Sequence, residues 1–249
     1  MLLLWGEVFI IREAEFIVNN ISSRELHSFL ETAPVFSMPK RKFSNIEIPG
    51  ASRQKFSDEN SYENRTGNLT IIVKADTEFE KTLYLSKLYK LFDTPDYIEF
   101  ISYLEPNFAY HIKISDAIDV SRLSRLSNWQ ELKLKVTADA FKYYVPPNKY
   151  LNINQLTIHN QFPFSSKPLI EVPAGGDLNL QINNKSYKFT GLPTNAMIDC
   201  DELQQDVYAN NQLYNSTFDA TQEFPELPTG DININSNLKI NLYPRWRLI

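Results

Sequence analysis

LKLKVTADAFKYYVPPNKYLN, Leu132 to Asn152, decides how this chain is read. Its first part alternates strictly: Leu132, Leu134, Val136, Ala138 and Ala140 fall on one face of an extended chain, Lys133, Lys135, Thr137 and Asp139 on the other. Period two is the mark of a half-buried strand, because successive side chains point to opposite faces. Pro146 and Pro147 then forbid regular structure and stiffen the connection. The composition changes at the same place: of 23 asparagines, 15 lie between Asn148 and the end. The stretch therefore predicts a strand that closes a first domain, residues 1–145, and a junction that opens a second, residues 146–249.

Upstream, the strand has companions. Leu69, Ile71 and Val73 alternate with Thr70 and Lys74, and between the two runs lies the one convincing helix. Thr77 and Glu80 have the spacing of a capping box, in which the hydroxyl accepts from the N3 amide while the N3 carboxylate reaches back. Tyr84, Leu85, Leu88, Leu91 and Phe92 follow as an apolar stripe, and Thr94 and Pro95 end it. Ser22 to Glu31 has a thinner stripe that predicts a second, short helix. MLLLWGEVFII, Met1 to Ile11, is broken by Glu7, lacks a basic stretch ahead of the apolar run and lacks a cleavage site behind it, so it reads as a strand rather than a leader. No run approaches the roughly 18 apolar residues of a membrane span, which predicts a soluble protein without membrane insertion.

Downstream, Leu156–Ile158, Leu169–Val172, Leu178–Ile182, Tyr187–Phe189, Ile232–Ile234 and Leu238–Leu242 are short alternating runs separated by turn residues, the pattern of a β-sandwich. Asn183, Asn184 and Lys185 predict a tight hairpin, since asparagine tolerates positive φ. The fold class is mainly β with one helix: a barrel-like sheet domain plus helix, then a sandwich.

The chemistry is sparse. Over 249 residues the chain has 7 glycines against 14 prolines, so phosphate-cradling loops have little material. The net charge of −5 is interspersed, with 18 basic and 20 acidic groups in residues 1–147 and 7 and 10 in the rest, which disfavours a general nucleic-acid binder. A lone cysteine, Cys200, rules out an internal disulfide framework and a cysteine-based zinc cage. His27, His111 and His159 lack ligand spacing, and no serine stands in a GxSxG elbow. The densest acidic cluster, Asp199, Asp201, Glu202 and Asp206, lacks the glycine of a calcium loop and reads as a solvated strand end. Tyr143, Tyr144, Tyr150, Tyr208 and Tyr214 could stack on sugars, but tyrosines of a sandwich more often close a core or meet a subunit. The expectation is no catalytic residue, no metal and no cofactor.

One stretch resists any period. PGASRQKFSDENSYENRTGN, Pro49 to Asn68, is about twenty residues without apolar alternation, and such loops inside a domain are usually functional or mobile. It follows the basic run Lys40, Arg41 and Lys42 and holds Arg53, Lys55 and Arg65, with Phe56 and Tyr62 among the charges. Aromatic anchors in a polar rim suit a protein contact. These eight residues are the candidates for a subunit interface, on a loop expected to leave its domain and lie against a neighbour.

IPGASRQKF, SYENRTGNLTIIVKAD, the helix end LFDTP, LKLKVTADAFKYY before the prolines, KPLIEV, AMIDC, FPELPTGDININ and the closing LYPRWRLI occur in this order along the chain. In that order the sequence resembles the distal tail protein (Dit) family of siphophages over essentially its whole length, although Ala51, Ser52 and Arg53 stand where the family often has a second glycine. The resemblance implies a structural, non-enzymatic protein at the tail tip of a virion, assembled in the host cytoplasm. It implies a homo-hexameric ring whose first domains line a channel that DNA crosses without specific binding, with galectin-like sandwiches outside. The implied partners are the tail tube protein, a tail-associated fibre or lysin protein and receptor-binding or baseplate proteins. Two other readings stay open: a glycan-binding module for host recognition, and a polysaccharide hydrolase, which would need two carboxylates facing each other across a cleft.

Overall fold

A computed structural model of the protein describes residues 2–4, 7–9, 12–50, 52–122, 128–219 and 221–249. Contacts divide the chain into two units, residues 1–142 with Ile249, and residues 143–248.

In the first unit one antiparallel sheet runs in the order Ile21–Ser22, Phe16–Val18, Ile98–Ser102, Phe108–Ile114, Gln130–Tyr144, Arg65–Val73, Ser28–Leu30. The two alternating runs read from the sequence are direct neighbours, with Leu134 opposite Leu69 and Leu132 opposite Ile71. Their apolar faces are buried, as are Phe16, Phe100 and Ile112. The sheet curls because its two ends are consecutive in the chain. The 3-10 turn Ser23–Leu26 and its C-cap His27 separate Ile21–Ser22 from Ser28–Leu30. Ser23 Oγ accepts from the Phe16 amide at 3.3 Å, and the Leu30 amide donates to the Ala14 carbonyl at 2.8 Å. These bonds draw the two ends of the sheet toward each other.

The helix spans Glu78–Phe92, and both halves of the Thr77/Glu80 capping box are formed. Leu88 and Phe92 enter the core, and Tyr84, Leu85 and Leu91 pack against it. The short helix expected over Ser22 to Glu31 is only the single turn Ser23–Leu26, itself closed by a Ser22/Glu25 capping box. Its continuation, Ser28–Leu30, is drawn instead into pairing with Arg65–Val73, because Phe29 and Leu30 gain more from a sheet edge than from a thin helical stripe. The opening run is not one strand but two that pair antiparallel, Leu2–Leu4 with Glu7–Phe9.

The second unit is a curled antiparallel sheet around a single core. Its long strand is Gly230–Tyr243, which the sequence shows as two runs. Ser236 joins them: its hydroxyl donates to the Leu238 carbonyl and accepts from the Leu238 amide, bending the strand without ending it. Before the bend it pairs with Gly176–Ile182, after it with Leu169–Val172, and along both parts with Leu151–Asn160. Lys185–Leu192 adds at one end, and Ala196–Asp199, Asp206–Ala209 and Gln212–Leu213 at the other. Asn183, at φ 52°, forms with Asn184 the two-residue hairpin that the asparagines predict.

Candidate functional site

Six of the eight interface candidates, Arg41, Lys42, Lys55, Phe56, Tyr62 and Arg65, sit on strands, while Lys40 precedes a strand and Arg53 lies in a connection. Arg41–Ile46 and Lys55–Tyr62 form a separate two-stranded antiparallel ribbon, with Ile46 opposite Lys55 and Arg41 opposite Tyr62. The expectation of a loop over Pro49 to Asn68 is therefore corrected from Lys55 onward, where the chain forms the strand Lys55–Tyr62 and enters the strand Arg65–Val73. A period-two signal arises only when one face is buried, and nearly every ribbon side chain faces solvent. Pro49 and Gly50, the latter at φ 79°, lie in the connection between the two strands.

Such a ribbon is at best marginal in water by itself. It is held by a diagonal pair, Phe43 edge-on to Phe56 with ring centroids 4.9 Å apart, and both rings are about half exposed, at 45% and 54%. Lys40 stands over the Phe43 ring. Arg41 is the rivet: it forks onto the Asp58 carboxylate, with Nε 2.9 Å from Oδ1, and its guanidinium lies 5.7 Å from the Tyr62 ring centre. The fork lowers the pKa of Asp58 and raises that of Arg41. Lys42, Arg53 and Lys55 have no ion-pair partner among the described residues and remain a basic rim, with Ile46 and Ile48 exposed beside it.

Two candidates stand at the root of the ribbon rather than on its free part. Tyr62 is half-buried and meets Phe141 edge-on at 5.7 Å. Arg65 is buried in the sheet, where its Nε donates to the Ala140 carbonyl at 2.8 Å and its guanidinium lies over Tyr110. Burial presses its pKa down, and its Nη2 has no hydrogen-bond partner among the described residues. Nearby, Glu105 accepts from Tyr110 at 2.5 Å and pairs with Lys142. Burial works to raise the Glu105 carboxyl, but these two hydrogen bonds outweigh it and hold its pKa below the usual carboxylate value. Sequence reasoning missed Phe43 and Ile46, which stand three residues apart on opposite faces of their strand, so no alternation marks them.

The acidic cluster of the second unit is not a solvated strand end. Asp199 is 7% exposed and is gripped by Arg245 through two bonds, Nη1 to Oδ1 at 2.5 Å and Nη2 to Oδ2 at 3.0 Å. Glu202 pairs with Arg247, and Asp206 accepts from Asn215. These carboxylates tie the closing PRWR segment and a neighbouring turn to the sandwich. Tyr143 is buried, Tyr214 packs on the core, Tyr144 leans on Phe162, and Tyr150 on Tyr243. A depression of about 440 Å³ on the sheet is lined by side chains that include Gln155, Thr157, Gln181, Asn183 and Asn233; no aromatic ring lines it. It offers donors and acceptors for hydroxyl groups but no ring on which a sugar would stack.

No protein-family model and no curated protein sequence matches the chain. Solved structures do. SPP1 Dit (gp 19.1), described as a paradigm of the hub adsorption apparatus in phages infecting Gram-positive bacteria, superimposes with a TM-score of 0.62 at 13% identity, covering 92% of this chain and 96% of that one. A chain of the phage p2 baseplate in its activated conformation with Sr gives 0.56 at 6% identity, covering 92% and 97%. The chain thus has, over almost its whole length, the β-rich Dit-like fold of these phage proteins.

Proposed function

We propose that this protein is a structural hub of a phage tail tip, assembling as a ring of identical copies through the ribbon. The observation that carries the reading is the ribbon itself: two strands paired, among the described residues, with each other alone, with Phe43 and Phe56 half exposed beside Lys40 and Arg41 on one face and Ile46 with Lys42 and Lys55 on the other. Exposed aromatic anchors among charged side chains are the usual anatomy of a protein contact. The Dit-like fold supports the choice of assembly. Residues 1–145 form the ring, in this reading with six copies, and residues 146–249 stand outside it and meet tail tube, fibre or lysin, and receptor-binding or baseplate proteins. A net charge of −5 suits a channel that lets DNA pass, since phosphate binding requires cations.

Native mass spectrometry and negative-stain imaging at micromolar concentration test this. A closed oligomer, six-fold in the reading given, is expected, and Phe43→Ala with Phe56→Ala should dissociate it without lowering the melting temperature of the monomer. A wild-type protein that stays monomeric at every concentration, or an oligomer indifferent to the double substitution, overturns it.

A further inference from the structure

We propose that the outer face of the second unit binds a neutral oligosaccharide, which stacks on Tyr150 and hydrogen-bonds to Asn152, Glu171 and Tyr208. The inference goes beyond the assembly reading and stands without it. In register, Asn152, Asn241, Glu171, Met197 and Tyr208 fall in one outward row across five strands, and Tyr150 and Tyr243 border it at one end.

The row is ordered by its own side chains. The Asn152 side-chain amide donates to Asn241 Oδ1 at 2.9 Å, and the Asn241 amide donates to Glu171 Oε2 at 2.8 Å. These bonds fix three planar groups before any ligand arrives. They leave Asn152 Oδ1 and Glu171 Oε1 without a hydrogen-bond partner among the described residues. The phenols are unspent too: neither the Tyr150 nor the Tyr208 hydroxyl is hydrogen-bonded among the described residues. Burial raises the pKa of both, and the Glu171 carboxylate and the Tyr208 phenol lie near enough to Tyr150 to add to its rise. Two hydroxyls and a carboxylate therefore converge on one patch.

A sugar complements each part. Its ring presents C–H groups that pack on an aromatic side chain, and its hydroxyls both donate and accept. Tyr150 keeps 38% of its surface exposed while it leans on Tyr243, with ring centroids 6.0 Å apart, and Lys149 stands over the Tyr243 ring. It is thus an aromatic platform held from behind and open in front. A few placed polar groups beside aromatic surface are the anatomy of a small-ligand site. The depression lined by Gln155 and Asn233 has amides without a ring, whereas this face has both. Charge sets the class of sugar. Arg245 beside the row is committed to Asp199 by two bonds, and Glu171 repels anions, so a neutral chain is favoured over a phosphorylated or sulfated one. From Tyr243 to Tyr208 the face crosses three strand intervals, about 14 Å, the reach of an oligosaccharide rather than a single ring.

Saturation-transfer difference NMR on the full chain, with the tetrasaccharides of glucose, galactose and N-acetylglucosamine and their sulfated forms, reads the contact. At least one neutral tetrasaccharide should bind with a Kd of about 1 mM or tighter, with the strongest transfer to ring C–H protons, and its sulfated form should bind more weakly. Tyr150→Ala should weaken binding about 5-fold or more, the scale of one aromatic stacking contact. Tyr150→Phe, which keeps the ring, should lose less. Glu171→Gln should weaken binding about 3-fold or more. Neither residue belongs to the buried core, and thermal melts should show the variants folded. No transfer to any of the neutral tetrasaccharides at about 10 mM, or binding that Tyr150→Ala and Glu171→Gln leave unchanged, overturns the site. A protein partner whose binding Tyr150→Ala weakens, with no transfer to any glycan, overturns it in favour of a protein contact. The oligomer assay is independent: a monomer that binds the glycan supports this inference while the assembly reading fails, and a ring that binds none does the reverse.

Discussion

Replacing Arg245 by methionine tests whether the closing segment is held by charge or by packing. The substitution removes both hydrogen bonds to Asp199 and leaves a carboxylate whose side chain is 11% exposed without its guanidinium. Breaking a buried pair from one side costs about 3 to 5 kcal/mol, because the remaining ion has lost its water and gained nothing. The Arg245 side chain is 20% exposed, so solvent screens the pair in part and the low end, about 3 kcal/mol, is expected. Urea unfolding followed by Trp246, which packs on the same core, is the assay. With a slope of about 2 kcal/mol per molar, the midpoint should fall by about 1.5 M. Adding Asp199→Asn should recover at least about 1 kcal/mol, since asparagine still accepts from the Asp201 amide but carries no stranded charge. Arg245 also has φ 53°, so Arg245→Gly should lose about 1 kcal/mol less than the methionine variant. A double variant as unstable as the sum of its parts would refute the argument that the lone carboxylate is the source of the cost.

Three further outcomes are expected. Burial raises the Glu226 carboxyl, yet hydrogen bonds from Ser165 and Lys167 prevail and bring its pKa below 4.5. A depressed carboxylate contributes stability that is complete above its unfolded value and lost as pH falls through the folded one. The second unit should therefore weaken from about pH 5 downward, and Glu226→Gln should flatten that limb in a pH series of melts. Gly175, at φ 66°, has the Leu192 carbonyl oxygen 2.7 Å from where a Cβ would stand, whereas Gly176, at φ 94°, has open space. Gly175→Ala should cost at least about 2 kcal/mol and Gly176→Ala about 1, measured side by side by denaturation. The Cys200 thiol, fully buried and pushed up by that burial, should ignore a disulfide reagent in the native protein and react only at the rate of unfolding, so rapid native labelling would contradict the packing.

Where a segment buries one face, its sequence shows it. Leu69 to Val73 and Leu132 to Ala140 alternate because the sheet interior takes every second residue, and the capping box at Thr77 is legible because all its parts are local. The helix boundaries follow from the same local chemistry. What failed to show depends on distant pairing. Ser28–Leu30 is a strand only because Arg65–Val73 lies beside it, and the bend at Ser236 leaves one strand looking like two. Asp199 reads as a wet strand end because its partner, Arg245, is 46 residues away.

The ribbon fails for the opposite reason. Neither of its faces is buried, so no alternation is required, and Pro49 to Asn68 attracts notice only by lacking a pattern. Lack of pattern cannot separate the exposed Lys55 and Phe56 from the buried Arg65, ten residues further on, which belongs to a core strand. Nor can it find Phe43, whose meaning comes from lying diagonal to Phe56 across a ladder. Within one chain the exposed halves of these two rings are surplus apolar area. Side chains that a single copy leaves exposed acquire a reason once a second copy is brought against them, and the Phe43 and Phe56 substitutions measure whether that reason holds.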